Sequence, residues 1–175
     1  MGVGLLVIRL AIGLTLAAHG AQKLFGWFGG HDIEGTGGFF ESLGFHPGRV
    51  YAGLAGFAEM AGGLGLAVGF ATPIAAMAAF AVMVGAINAV HRPNGFFAQN
   101  GGYEYPLVLA GIAAGLAFTG PGRASVDHAL GWHLASNGWG LFCIAAGLVT
   151  AAVPMAMRAW RPSHHRPGRP SPAAA

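Results

Sequence analysis

Charge is what this sequence most lacks. Only 9% of its 175 residues are Asp, Glu, Lys or Arg, against roughly 25% in a typical soluble domain. A soluble fold of this size would have too few charges to cover its surface. A bilayer removes that requirement, because lipid is as apolar as the helices it surrounds. Cysteine is nearly absent too. Cys143, inside an apolar run, is the single one, so an intramolecular disulfide and a CxxC dithiol are both excluded. No clustered basic face on a folded domain is present, which argues against nucleic acid as a partner. No HxxxH or HxxE spacing ties His19, His91 and Glu104 into a metal site, and haem, flavin and iron–sulfur motifs are missing. Finally, no basic n-region with a small-residue cleavage site opens the chain, so the first apolar segment is expected to be a retained membrane helix, not a signal peptide.

What is abundant points the same way. Hydrophobic residues make up 54% of the chain, and 31 glycines sit mostly inside the apolar runs. Glycine so placed serves close helix–helix approach in lipid. A membrane helix needs about 20 mostly apolar residues. Candidates run from Val3 to about Phe25, from Pro47 to about Phe70, from Thr72 to about His91, from Tyr103 to Gly120, and from Asn137 to about Trp160. The fourth is short for a full span. Thr72 is the expected N-cap of the third helix, and the short 69–72 connection predicts an antiparallel hairpin. Within the first Gly-rich loop, residues 38–43 could form one amphipathic turn at the interface. The expected class is therefore all-α, a polytopic membrane helix bundle, with lipid as its main partner and a homo-oligomer as a possible assembly.

Charge placement orients the bundle. Arg158, Arg161, Arg166 and Arg169 follow the last apolar run and, with Lys23, Arg49 and Arg92, fall on one side of a five-span arrangement. Arg123 falls on the other. By the positive-inside rule the C-terminus is expected inside the cell. The tail from Arg161 is rich in Pro, Ser and Ala and reads as disordered.

Ionisable groups within a span are costly and usually face the bundle interior. Those singled out are Arg9, His19, Lys23, Glu59, His91 and Glu104, with Asn88 one turn before His91 and Tyr103 beside Glu104. At about 100° per residue, Arg9, Glu59 and Glu104 each share a helix face with glycines (Gly13 and Gly20; Gly56, Gly62 and Gly63; Gly111 and Gly115). Each is therefore expected to point at a neighbouring helix. Arg9 and Glu59 come within about 8 Å in depth at 1.5 Å per residue and are expected to pair. That pair could lock helix register or handle a ligand or proton. Lys23 could join a site or snorkel to the headgroups. His91 and Glu104 could form a site or staple a loop. Asp127 and His128 are placed in the third loop, away from the rest. Two Phe-rich loops, with Phe39, Phe40, Phe45, Phe96 and Phe97, suggest interfacial anchors or a hydrophobic mouth.

Several runs of residues resemble a known family. Arg9-Leu-Ala-Ile-Gly13 and His19-Gly20-Ala-Gln-Lys23-Leu-Phe25 resemble the start of the DoxX family of bacterial integral membrane proteins. Gly56-Phe-Ala-Glu59-Met-Ala-Gly62-Gly63 is similar to its second helix. His91-Arg-Pro-Asn-Gly-Phe96-Phe97 and Gly101-Gly102-Tyr103-Glu104-Tyr105-Pro106 resemble its third loop and fourth helix, and Gly120-Pro-Gly122-Arg-Ala-Ser125-Val-Asp127 its closing motif. The resemblance spans about residues 4–130. It implies a four-helix membrane core over residues 1–130, to which this chain adds a C-terminal span over 131–160 and the tail 161–175. It also implies a link to redox metabolism, since founding members are membrane subunits of a thiosulfate:quinone oxidoreductase. The resulting expectation is a subunit of the inner (plasma) membrane linked to quinone or thiol/sulfur metabolism. In it, Glu59, His19, His91 and Glu104 handle protons, and Arg9, Lys23, Asn88 and Tyr103 contact a ligand. The chain would have no intrinsic cofactor, with quinone as the candidate bound group and a soluble redox protein as electron source. A small-solute or proton carrier, or a non-catalytic scaffold for a soluble partner, is the alternative.

Overall fold

The computed structural model describes residues 2–160, so the expectations for the tail lie outside the described residues. Among these, all regular structure is helical. The main elements in chain order are α1 (Val3–Phe25), α2 (Asp32–Ser42), α3 (Gly48–Val68), α4 (Thr72–Ala86), α5 (Glu104–Thr119), α6 (Val126–Ala129) and α7 (Asn137–Ala159). A single π-helical turn, Ile87–His91, prolongs α4. Four of the described helices are long and apolar enough to cross a membrane: α1, α3, α4 with its extension, and α7. α5 is apolar but has 16 residues, a length of about 24 Å at 1.5 Å per residue. The bundle is therefore an all-α, multi-pass membrane protein.

Glycine sets the central contact. A Cβ on Gly13 would lie 2.5 Å from the Gly63 carbonyl oxygen and 2.6 Å from the Ala67 amide nitrogen. One on Gly20 would lie 2.6 Å from both the Gly56 carbonyl oxygen and the Met60 amide nitrogen. Only a residue without a side chain permits backbones this close. Gly13 facing Gly63, and Gly20 facing Gly56, make α1 and α3 antiparallel with a steady register. α4 and α5 lie against each other, and α7 lies chiefly against α4 and also touches α5. Their shared core is alanine-rich (Ala75, Ala76, Ala79, Ala110, Ala113, Ala117) and is sealed by Ile12, Leu16, Leu66, Leu109, Leu116 and Cys143. The large side chains face outward, as lipid-facing helices require: Leu54, Phe57, Leu141, Phe142 and Val149 are all exposed.

Three local expectations are corrected. The amphipathic turn at 38–43 is the end of a full helix, α2, which begins at Asp32. Its Asp32 carboxylate accepts from the Glu34 and Gly35 amides at 2.8 and 3.1 Å, which supplies the first turn with an acceptor from within. α2 lies against α3, where Glu41 accepts from the Gly48 amide at the start of α3. The second correction concerns Thr72, which does not cap α4. The cap comes from Asp127, 55 residues later, whose two carboxylate oxygens accept from the Ala71 amide at 2.6 Å and the Thr72 amide at 2.9 Å. Third, Gly111 and Gly115 face no neighbour among the described residues, and both are exposed. That face of α5 looks out of the bundle.

Candidate functional site

The α1–α3 pair carries two polar inserts, one toward each end. At the first, Arg9 is 1% exposed. The register places it opposite the C-terminal turn of α3. Its guanidinium donates to the carbonyl oxygens of Pro121, of Ala124 at 2.7 Å and of Ala67 at 3.4 Å. Gly69 caps α3 in the left-handed region at φ 69°, and a Cβ there would meet Arg9 Nη1 at 2.8 Å. Asp127, also 1% exposed, is near enough for its charge to act on Arg9. Its backbone amide donates to the Gly69 carbonyl at 2.9 Å. A buried guanidinium and a buried carboxylate thus fasten the 120–129 segment across the ends of α1, α3 and α4.

At the second insert, Glu59 is 3% exposed and accepts from Lys23 Nζ at 2.5 Å, with the Lys23 side chain 26% exposed. The expected Arg9–Glu59 pair does not form. Arg9 stands level with Ala67, eight residues along α3 from Glu59, a separation of about 12 Å at 1.5 Å per residue. Lys23 instead reaches Glu59 from its own end of α1. His19, one turn before Lys23, bonds through Nδ1 to Gln22 Oε1 at 3.0 Å. Its ring meets Tyr105 of α5 edge-on, with centroids 6.1 Å apart. Among the described residues the Tyr105 hydroxyl, His19 Nε2 and one Glu59 oxygen have no hydrogen-bond partner.

This second cluster is the candidate site. It brings together His19, Lys23 and Glu59 from the expected set and adds Tyr105 and Gln22, which sequence reasoning missed. Gln22 had a signal, since it lies three residues after His19 on the same face. Tyr105 is two residues from the Tyr103 that was singled out, and two residues on a helix is about 200°. The remaining candidates lie elsewhere. His91 Nδ1 bonds to the Gly101 carbonyl at 2.8 Å, and Glu104 accepts from the Ala98 amide at 2.9 Å. Both staple the 92–103 loop. Tyr103 stacks edge-on with Phe96, centroids 5.5 Å apart. Asn88 donates back to the Val84 carbonyl of its own helix at 2.9 Å. Asp127, set apart as a loop residue, is instead the partner end of the Arg9 insert. The described residues hold no group of three His, Cys, Asp or Glu side chains suited to a metal ion.

No curated protein and no solved structure matches the chain. The DoxX family model matches residues 4–92, which takes in α1 through the π-helical turn and with it His19, Gln22, Lys23 and Glu59. Tyr105 and the fastening segment at 120–129 lie beyond the match. With its glycine-packed helix pair and both polar inserts anchored within the matched stretch, the chain belongs to the DoxX family.

Proposed function

We propose that this DoxX-family protein is a redox-linked subunit of the inner (plasma) membrane that takes a quinone from the bilayer at the Lys23–Glu59–His19–Tyr105 cluster. One observation carries the reading. A buried carboxylate is surrounded by hydrogen-bonding groups that the fold leaves uncommitted. The atoms left unpaired at the Arg9 insert are sealed from outside, whereas Tyr105 and His19 are open to an incoming group that can pair with them.

The donor set fits a quinone head. Lys23 and Tyr105 present donors suited to a carbonyl oxygen, and His19 can donate or accept according to tautomer. Tyr105 is exposed and His19 half-buried, so the cluster opens sideways toward lipid, the direction from which a hydrophobic molecule arrives. When bound, a quinone would supply two-electron, two-proton redox chemistry. Glu59 would hold the proton, Lys23 would balance its charge, and Gln22 would fix the orientation of the His19 ring. Electrons would come from a soluble partner, of quinone-linked or thiol/sulfur metabolism. It would dock on the side holding Lys23, Arg49, Arg92 and Arg158, the inner side by the positive-inside rule.

The test is equilibrium binding of a short-chain quinone analogue to the protein in nanodiscs. Wild type should bind saturably, and Glu59→Gln and Lys23→Met should each weaken binding about tenfold, the loss of one charge-assisted hydrogen bond. Absence of saturable binding, or unchanged affinity in both variants, would sink the proposal. Proton or solute flux in liposomes without any redox partner would favour a carrier instead.

A further inference from the structure

At the opposite end of the bundle from the Glu59 cluster, the 119–135 segment forms an open cleft of about 250 Å³ lined by residues that include Arg123, His128, Trp132 and His133. This is smaller than the roughly 300–1,000 Å³ of drug-sized pockets. Three of its side chains can carry positive charge and none of those lining it is acidic. The acid of this segment, Asp127, is turned inward, with both oxygens taken by the Ala71 and Thr72 amides. No hydrogen bond to another described residue engages the side chains of Arg123, His128 or His133.

The cavity is also held in shape from behind. Arg9 holds the carbonyls of Pro121 and Ala124, on either side of Arg123. Ser125 Oγ donates to the Gly122 carbonyl at 2.7 Å and accepts from the His128 amide at 3.2 Å. Trp132 stacks on Phe70 at the end of α3, centroids 5.6 Å apart, and its amide donates to the Asp127 carbonyl at 2.8 Å. Thus Pro121 and Ala124, which flank Arg123, and Trp132 are tied to the helix ends, and His128 is tied to Ser125 of the same segment. Indole rings of this kind settle at the headgroup level of a bilayer. With Trp132 at that level, the cavity would face the phosphate groups.

We infer that the Arg123–His128–His133 cavity is a binding site for a compact phosphate-like oxyanion, either free in solution or carried by a phospholipid headgroup. Arg123 supplies the planar fork that matches an oxyanion. The two histidines add ring N–H donors beside it. The other charged groups packed against the site are Arg9, which reinforces an anion from behind, and Asp127, which opposes it.

Trp132 lines the cavity and reports on it. The full chain, with Trp27, Trp139 and Trp160 replaced by Phe, is titrated with inorganic phosphate in phospholipid-free detergent. In parallel it is titrated with phosphatidylglycerol in phosphatidylcholine nanodiscs. A saturable change in Trp132 emission is expected in at least one arm, and the arm that responds identifies the source. Arg123→Gln should weaken binding about tenfold, and Arg123→Lys should restore part of that. Arg123 is exposed, so neither change disturbs the core. Silence in both arms, or an Arg123→Gln titration that overlays the parent, overturns the inference. The quinone-analogue assay at the Glu59 cluster is independent of either result.

Discussion

The two polar inserts of the α1–α3 pair use the same residue classes to opposite ends. Arg9 and Asp127 are each 1% exposed and spend their hydrogen bonds on backbone groups: three carbonyls for Arg9, two amides for Asp127. Only Arg9 Nε and Thr72 Oγ1 are left without a partner there, and both are sealed from outside. Lys23 and Glu59 spend theirs on each other. They keep around them an imidazole nitrogen, a phenol and a carboxylate oxygen with nothing to bond. Burial alone therefore does not distinguish a structural charge from a functional one. The proposal for Glu59 rests instead on its charge being met by a side chain that can exchange partners, where that of Arg9 is met by backbone that cannot leave.

The largest expected effect breaks the comparison on its structural side. Arg9→Met strands three carbonyls and leaves Asp127 without its nearby cation. Removing one member of a buried charged arrangement costs about 3–5 kcal/mol, so the yield of folded protein in detergent should collapse. Asp127→Ala should do the same by uncapping α4. Glu59→Gln should fold with near-wild-type yield, because glutamine keeps the shape and can still accept from Lys23. Equal losses in Arg9→Met and Glu59→Gln would erase the distinction between the inserts.

The middle-sized effect tests whether Lys23 and Glu59 act as a unit. Lys23→Met leaves a buried carboxylate with no donor, an expected loss of about 1–3 kcal/mol. Adding Glu59→Gln to Lys23→Met should recover most of it, because no charge is then left unpaired. Reversible unfolding in mixed micelles of the two singles and the double gives the coupling. Strict additivity would mean that the 2.5 Å contact contributes nothing as a pair.

How far these inserts were legible in the sequence follows from the physics of each. That Arg9 and Glu59 would be buried and face other helices was readable, because intramembrane charge has few other options; for Lys23 the sequence left a site and the headgroups both open, and it is half-buried. The helix limits were readable as well: α3, α4, α5 and α7 begin and end within a few residues of the positions that Pro47, Thr72, Pro106, Gly120 and Asn137 suggest. Pairing was not readable. Depth counted from helix ends put Glu59 about 8 Å from Arg9 where the register puts it about 12 Å away, a difference of less than one turn but enough to assign Glu59 to Arg9 instead of Lys23. The register was set by the Gly13–Gly63 and Gly20–Gly56 contacts, which a chain with 31 glycines does not single out. Asp127 was hidden for a different reason. Its role depends on a loop folding back 55 residues to cap α4, and no local periodicity records such a return.

The smallest expected effect sharpens the comparison by holding charge chemistry constant and changing only the surroundings. Glu34 of α2 and Arg49 of α3 also form an ion pair, on the same end of the bundle as Lys23 and Glu59, but their side chains are 61% and 65% exposed. Water screens such a pair and its side-chain ordering offsets much of the attraction, so exposed pairs contribute about 0–1 kcal/mol. Glu34→Gln and Arg49→Gln should therefore shift unfolding little, should show almost no coupling in a double-mutant cycle, and should leave quinone-analogue binding unchanged. What remains of the effect should fade further with added salt, whereas the Lys23–Glu59 coupling should persist because little solvent reaches Glu59. If the exposed pair coupled as strongly as the buried one at high salt, enclosure would not be what sets Lys23 and Glu59 apart. The case for a functional cluster would then rest on its uncommitted Tyr105 and His19 alone.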